Sequence, residues 1–282
     1  MIFQDAIYDI VKDHDIHVNR KDLPPLISAG LYLPEKNLLL HLVPVPVSPD
    51  ISPLYFQQKT FEYASLGIQL VHVWQDIWIR KPEVVMSRIQ ALAGTCQRIH
   101  ARQTTVQRIN KDVMRRFLDH HHMQGSVTAR YAYGLIKSGE LVAVASFSAG
   151  RLIPRNGITL HSYELLRYAN VLGSRVAGGI GKILSCFSGE VNPGDIMTYA
   201  DLDWGAGKSY EKLHFRNISV SPPQMFWIHP DEMVRYYPHR LPDTLIRQFQ
   251  SQDKYTRIDD YLLEQGYSRI YNAGNIKYLK LM

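Results

Sequence analysis

Side chains able to carry chemistry are concentrated between residues 122 and 215. Asp201 is predicted to lie on a loop that leaves a strand, and it is a candidate for a general base or a metal ligand. Glu164 and Arg167 are predicted to form an ion pair, which either orients a catalytic site or only stabilises the fold. Tyr210, at the predicted start of a short helix, completes this set of candidate catalytic residues.

Glycines crowd the predicted start of a helix that follows a short apolar strand at residues 163–168. Glycine lets backbone amides approach a ligand, and a helix N-terminus attracts negative charge. We therefore predict an anion-binding loop formed by Arg175, Gly178, Gly179 and Gly181, with an ordinary strand-to-helix turn as the alternative. The spacing is neither the dinucleotide fingerprint nor a Walker loop, since no Gly-Lys-Ser/Thr follows.

Residues 98–116 carry many basic groups against a single acid, Asp112. Such a segment can follow a phosphate backbone, and the alternative is a solvated linker whose charges bind nothing. The predicted nucleic-acid-binding residues are Arg98, Arg102, Arg108, Lys111, Arg115 and Arg116.

The elements that must position these residues alternate between helix and strand. Residues 2–12, 55–66 and 82–93 have the spacing of helices, whereas residues 29–33, 37–43 and 68–74 are predicted as strands. Further along we expect a hairpin at 131–147, a loop at 148–156, a strand at 196–200 and a short helix at 209–213. The order predicts an α/β (α+β) fold with a small domain (1–97), a basic linker and helix (98–118) and a second, mixed-sheet domain (119–282).

Five motifs of the second part carry a family resemblance: His-Met-Gln-Gly at 122–125, the hairpin sequence at 133–144, Glu-Leu-Leu-Arg at 164–167, Tyr-Ala-Asp at 199–201 and Tyr-Glu-Lys-Leu-His-Phe at 210–215. With them, this part resembles the GNAT-like domain of Mom-type DNA-modification proteins. It more closely resembles the C-terminal half of phage homing-endonuclease-like proteins, in which a Vsr-type nuclease precedes such a domain. The resemblance extends through Pro222 and Trp227 to residues 266–278.

This resemblance implies a set of roles. The glycine loop would hold the pyrophosphate of acetyl-CoA or another acyl-CoA, and Tyr210 would protonate the departing thiolate. His122 corresponds to a functional histidine of Mom-like proteins, which makes it a candidate general base or metal ligand beside Asp201. A modified adenine in DNA is the implied product. A bound metal ion is the alternative to an acyl-CoA donor.

The first part resembles the Vsr-type relative of the PD-(D/E)XK nuclease core, through Leu-Tyr-Leu-Pro-Glu at 31–35, Lys59 and residues 67–73. Such nucleases hold Mg²⁺ between carboxylates on a strand hairpin. When the sequences are aligned on Tyr32 and Pro34, Gly30 takes the position of the metal-binding aspartate and His41 that of the next acid. Glycine cannot ligate a metal and a lone histidine is a poor magnesium ligand, so we expect a catalytically inactive nuclease domain that docks DNA.

The composition of the chain limits the classes of protein and of partner that need to be considered. The 282 residues are 45% hydrophobic and 21% charged, which is typical of a folded protein, and the net charge of +6 permits a polyanionic partner such as DNA. Two cysteines, Cys96 and Cys186, exclude a disulfide scaffold and give no basis for a disulfide-linked partner. No apolar run has membrane length, and the acidic N-terminus is unlike a signal peptide, so we expect a cytoplasmic protein without a membrane partner.

Two classes of function follow from the sequence. The first is a nucleic-acid-associated, GNAT-like and Mom-like transferase with the inactive nuclease domain as its docking module. The second is a non-enzymatic DNA-binding protein derived from a homing endonuclease, which the missing carboxylates and the imperfect glycine loop favour. An active nuclease is a third and weaker reading of the same sequence.

Overall fold

The computed structural model describes residues 3–14, 16–18, 29–155, 157–205, 207–252 and 254–282, and these residues confirm the α+β class. The helices are α1 (Phe3–Asp13), α2 (Tyr55–Ser65), α3 (Gln75–Arg80), α4 (Pro82–Ala93), α5 (Lys111–His121), α6 (Gly179–Val191), α7 (Lys208–Glu211), α8 (Asp243–Gln250) and α9 (Ile258–Glu264). The strands are β1 (Gly30–Leu33), β2 (Leu38–Val43), β3 (Gln69–Trp74), β4 (Gln97–His100), β5 (Thr105–Arg108), β6 (Tyr131–Lys137), β7 (Glu140–Phe147), β8 (Arg151–Arg155), β9 (Ile158–Asn170), β10 (Ser174–Ala177), β11 (Asp195–Asp201), β12 (Arg216–Ser221), β13 (Met225–Ile228), β14 (Arg235–Tyr236), β15 (Ser268–Tyr271) and β16 (Asn275–Leu281).

A small sheet forms from the first part of the chain. Strand β1 is antiparallel to β2, as the predicted hairpin requires, and β2 is parallel to β3. Strand β2 has the sequence Leu-Leu-Leu-His-Leu-Val, which is nearly continuously apolar because both faces of this strand are covered. Gly30 and His41, the two positions at which the nuclease resemblance expects acids, pair directly across the hairpin.

The large mixed sheet has the strand order β12-β16-β11-β9-β7-β6-β5, with β8 paired to β9 outside this path. The loop predicted at residues 148–156 is therefore wrong in part, since Arg151–Arg155 is a strand that forms a hairpin with β9. Pro154 lies within β8, which has β9 as its sheet partner among the described strands, and an edge strand tolerates a proline.

The two parallel strands at the centre of the large sheet separate. Strands β9 and β11 pair over residues 162–164 and 195–197 only. Beyond that point the two strands no longer form backbone hydrogen bonds with each other. The hydroxyl of Thr198 instead donates a hydrogen bond to the carbonyl oxygen of Leu165 (3.0 Å). The separation leaves an opening between the C-terminal halves of both strands.

The segment predicted as a basic linker contributes to two sheets. Strand β4 pairs in parallel with β10, and β5 forms an edge of the large sheet. Between them, Lys182 of α6 donates hydrogen bonds through Nζ to the carbonyl oxygens of Ala101 and Thr104. The domain boundaries predicted from the sequence stay a prediction.

One apolar core contains side chains from both parts of the chain. Phe56 and Trp74 of the first part lie in the same buried cluster as Phe226 and Ile270 near the C-terminus. Polar contacts join the same regions, because Gln57 donates through Nε2 to the carbonyl oxygens at positions 221 (3.0 Å) and 273 (2.9 Å). The first part of the chain is thus packed onto the large sheet.

Candidate functional site

A cavity of about 730 Å³ occupies the opening between β9 and β11. One wall is formed by these strands and the other by α4 and neighbouring residues of the first part of the chain. All the residues that the sequence nominated for catalysis line it: His122, Glu164, Arg167, Asp201 and Tyr210. The sequence therefore identified side chains that meet in space, although they are spread over almost ninety positions.

Strand β3 of the small sheet holds the loop that follows Asp201, the last residue of β11. The backbone N–H of His72 donates to the carbonyl oxygen of Asp203 (2.7 Å), and Trp74 donates through Nε1 to the Asp203 carboxylate (3.2 Å). Asp203 in turn donates its backbone N–H to the Asp201 carboxylate (3.0 Å). Asp201 is thus positioned by residues of the first part of the chain.

Two acids that line the cavity, and Asp203 close to one of them in the chain, have raised pKa values. Burial raises the pKa of Asp201, although the hydrogen bond from the Asp203 backbone and the charge of Arg88 oppose this shift. Burial also raises the pKa of Glu164, against the charges of nearby arginines. Burial and the neighbouring Asp201 raise the pKa of Asp203 to about 8. A carboxylate with a raised pKa is a stronger base than one in water, so Asp201 and Glu164 are both suited to accept a proton.

His122 is fixed as a neutral imidazole. Lys81 donates to its backbone carbonyl oxygen (2.8 Å), and the backbone N–H of Gln124 donates to its Nδ1 (3.1 Å). Burial, and then the charges of Arg167, Arg88 and Lys81, lower the pKa of His122 to about 3. The remaining proton must be on Nε2, so this side chain donates a hydrogen bond and is a poor general base.

Tyr210 lies on α7 with its hydroxyl against Thr198. Burial raises the pKa of Tyr210, while the hydrogen bond to Thr198 and the charge of Arg88 act in the opposite direction. The phenol is therefore protonated at neutral pH and is able to give a proton to a leaving group.

Glu164 and Arg167 do not form the predicted ion pair. Residues three apart on a regular strand point to opposite faces, but a β-bulge in the pairing of β9 with β7 turns both side chains toward the cavity. Arg167 instead donates through Nε to the carbonyl oxygen of Gly125 (3.3 Å) and through Nη1 to that of Leu166 (2.8 Å). These two carbonyl groups fix the guanidinium at the cavity.

The predicted anion-binding loop lies outside the cavity. Tyr168 lines the cavity. A Cβ atom added to Gly179 would lie 2.6 Å from the Tyr168 hydroxyl, so the Tyr168 side chain packs against the loop. A Cβ atom added to Gly178 would lie 3.5 Å from Ala101, whereas Arg175 is exposed. None of Arg175, Gly178, Gly179 and Gly181 is among the residues that line the cavity, whereas all the candidate catalytic residues are.

The predicted nucleic-acid-binding residues Arg98, Arg102, Arg108, Lys111, Arg115 and Arg116 are all exposed. Two of them have acidic partners, because Arg108 pairs with Glu190 (2.5 Å) and Arg115 pairs with Asp112 (3.2 Å). Helix α5 carries the last three of these residues and leads directly to His122, so its basic face ends beside the cavity.

Sequence reasoning missed Arg88 and Trp204, which also line the cavity. The signal for Arg88 was a charged residue on the buried face of α4, one helical turn from both Val84 and Leu92. A charge at such a position requires a polar environment, which here is the cavity.

The nuclease-like positions hold no carboxylate pair. Nδ1 of His41 lies 3.0 Å from Nδ1 of His72, and the Nε2 atom of His72 contacts the hydroxyl of Thr60 (2.9 Å). Across the described ranges of the chain, no group of three histidine, cysteine, aspartate or glutamate side chains is arranged to hold a metal ion.

No family profile matches the sequence, and no curated protein is significantly similar to it. Among solved structures, the chain is similar to an acetyltransferase of Bacillus subtilis in complex with CoA, at 13% identity over 64% of this chain and 99% of that chain, with a TM-score of 0.33. It is also similar to a histone acetyltransferase HPA2-related acetyltransferase of Corynebacterium glutamicum, at 11% identity over 64% of this chain and 96% of that chain, with a TM-score of 0.34. A third similarity is to the KacTA–DNA complex, at 18% identity over 53% of this chain and all (100%) of that chain, with a TM-score of 0.28. TM-scores this low do not establish an activity or a ligand.

In the part of the chain that the structure describes, no helix combines the length and apolar character needed to span a membrane.

Proposed function

We propose that this chain is a GNAT-like group transferase that acts on nucleic acid, with its reaction centre in the cavity between β9 and β11. The observation that carries the proposal is the convergence of His122, Glu164, Arg167, Asp201 and Tyr210 on that single cavity. The strand order of the large sheet and the separation of its central parallel strands are consistent with the GNAT-like domain that the sequence resemblance implies.

The roles follow from the protonation states. Asp201 or Glu164 accepts a proton from the attacking group, and Tyr210 gives a proton to the leaving group. His122 donates a hydrogen bond through Nε2 to an oxygen on which negative charge develops. The target is a base of DNA, as in Mom-type modification, and the exposed basic residues leading to the cavity along α5 provide its backbone contacts.

An acyl-CoA donor would put its pyrophosphate on the loop that contains Arg175, Gly178, Gly179 and Gly181. The loop fits this group poorly, because Tyr168 stands between it and the cavity and Lys182 is held by two backbone carbonyl oxygens. The same observation favours a second candidate function, a non-enzymatic DNA-binding protein in which neither part of the chain is catalytic.

The test measures base modification and DNA affinity on the same preparations. Nucleosides from DNA exposed to the wild type in cell extract are analysed by mass spectrometry, and we expect a modified base that is lost in Asp201→Asn and Tyr210→Phe. The matched control is Tyr271→Phe, a tyrosine of β15 outside the cavity lining, which should retain the product. DNA affinity should be unchanged in all three variants.

The outcomes separate the two candidates. DNA binding without any modified base would overturn the transferase and leave the binding protein. Full product formation by Asp201→Asn and Tyr210→Phe would show that the cavity is not the reaction centre. Calorimetric titration with CoA, repeated on Arg175→Gln, tests the donor separately, since this arginine is exposed and its replacement leaves the packing of the loop intact.

A further inference from the structure

The guanidinium of Arg88 has unused hydrogen-bond donors in the cavity. Its central carbon lies over the indole of Trp204, 4.5 Å from the ring centroid. Within the described ranges it makes no hydrogen bond and has no carboxylate within ion-pair distance. Asp201 and Tyr210 act on the guanidinium only through electrostatic attraction over a longer distance. Arginine stays cationic in proteins and offers five N–H donors, so a site of this kind requires an acceptor.

Two further donors, Arg167 and His122, line the same cavity. Arg167 is oriented by the carbonyl oxygens of Gly125 and Leu166, and these bonds employ only part of its guanidinium. The imidazole of His122 feels the charges of both Arg88 and Arg167, and its free Nε2–H is a donor. The acids of the cavity, Asp201 and Glu164, do not neutralise these arginines by direct pairing, since neither lies within 4.0 Å of Arg88 or Arg167 among the described contacts.

We propose that Arg88, Arg167 and His122 form a binding site for an anionic oxygen group, a carboxylate or a phosphate, of a substrate, and that the first part of the chain completes the site by supplying Arg88. The inference rests on the proposed function in one respect, namely that the anion belongs to a substrate of the transferase. The contact with the Trp204 ring restricts the position of the Arg88 guanidinium, and a guanidinium group can donate two parallel hydrogen bonds to two oxygens of one group.

The anchoring of the site by the first part of the chain agrees with this role. Lys81, just before α4, holds the backbone of His122, and Gln69 of β3 donates to the carbonyl oxygen of Trp204 (3.2 Å). The same region that supplies Arg88 therefore also fixes Trp204 and His122. The first part of the chain acts here as a wall of the substrate site, independently of any contact that it makes with DNA.

The experiment titrates the full-length protein with inorganic phosphate and, separately, with acetate by isothermal calorimetry, at constant ionic strength maintained with sodium chloride. We expect saturable binding of at least one of the two anions, weakened tenfold or more in Arg88→Met. Methionine keeps much of the aliphatic volume beside Trp204 while removing the charge. The matched control is Arg247→Met, which replaces an exposed arginine on α8 and should bind as the wild type does.

Each outcome decides the matter. Tighter binding of phosphate identifies a phosphorylated substrate, and tighter binding of acetate identifies a carboxylate. Absence of binding by the wild type, or equal binding by the wild type and Arg88→Met, overturns the proposed anion site. Neither result bears on the transferase proposal, which the base-modification assay tests separately. If Arg88→Met does not fold, Arg88→Lys keeps the charge but not the bidentate geometry, and unweakened binding by that variant would overturn the bidentate site.

Discussion

The ion pair between Asp76 and Arg235 fastens the first part of the chain to its C-terminal region. Arg235 donates through Nε to one carboxylate oxygen (2.7 Å) and through Nη2 to the other (2.9 Å), and the Asp76 side chain is 1% exposed. The guanidinium also lies over the rings of Trp74 (4.7 Å) and Phe226 (5.5 Å). We predict that Asp76→Ala destabilises the whole protein by leaving this cation buried without its main partner.

The magnitude follows from the surroundings of Arg235. Removing one member of a buried ion pair costs about 3–5 kcal/mol of unfolding free energy. Burial lowers the pKa of Arg235, but the hydrogen bonds and charge of Asp76 and the more distant charge of Asp201 outweigh this effect, so without Asp76 the cation keeps some compensation from Asp201. We therefore expect a loss near the lower end, about 3 kcal/mol.

Urea unfolding followed by tryptophan fluorescence measures this loss, and Asp231→Ala is the control because its side chain is 93% exposed. The double variant Asp76→Ala, Arg235→Met should lose less than the sum of the two single variants, with a coupling energy of about 2 kcal/mol. A loss below about 1 kcal/mol for Asp76→Ala, at an unchanged urea slope, would refute the reasoning.

Two further predictions concern stability. Burial lowers the pKa of His41 to about 4 and that of His72 well below 6.5, so below pH 6.5 the unfolded chain binds more protons and the free energy of unfolding falls as the pH falls. Between pH 7 and pH 5 the free energy of unfolding of the wild type should therefore fall by about 2 kcal/mol more than that of His41→Asn. Equal decreases for both proteins, measured by urea unfolding at the two pH values, would contradict this. In α6, Gly179→Ala should cost about 1–3 kcal/mol, because its Cβ would lie 2.6 Å from the Tyr168 hydroxyl. Gly189→Ala, in the same helix with nothing within 4 Å of its Cβ, should gain about 0.5–1 kcal/mol; the same sign for both in thermal unfolding would refute the packing argument.

Local patterns explain what the sequence could predict. The apolar spacing before Gly94 predicts α4, and the end of that helix is a left-handed glycine cap. The strand predicted at residues 196–200 is β11, which also includes Asp201, the residue predicted to begin the following loop; Asp201 lines the cavity. In both cases the information lies within a few neighbouring residues.

What could not be predicted depends on contacts between distant segments. Strands β4 and β10 are four residues each and pair across more than seventy positions, so neither has a pattern that distinguishes it from a loop. The prediction of an ion pair between Glu164 and Arg167 was wrong, because Arg167 donates hydrogen bonds to two backbone carbonyl oxygens instead. One of these belongs to Gly125, which is distant in the sequence. Arg88 joined the site through packing of the first part of the chain onto the large sheet, which no local motif encodes.

The core shared between Phe56 and Trp74 on one side and Phe226 and Ile270 on the other has a consequence for folding. During synthesis from the N-terminus, Phe56 and Trp74 are translated long before Phe226 and Ile270. Until the C-terminal strands have been synthesised, the first two side chains lack the packing partners that they have in the folded protein. We expect this nascent stage to depend on chaperones, and a fragment beginning at residue 119 to aggregate, since its sheet would lack an apolar cover. Co-expression of residues 1–118 with such a fragment should restore solubility.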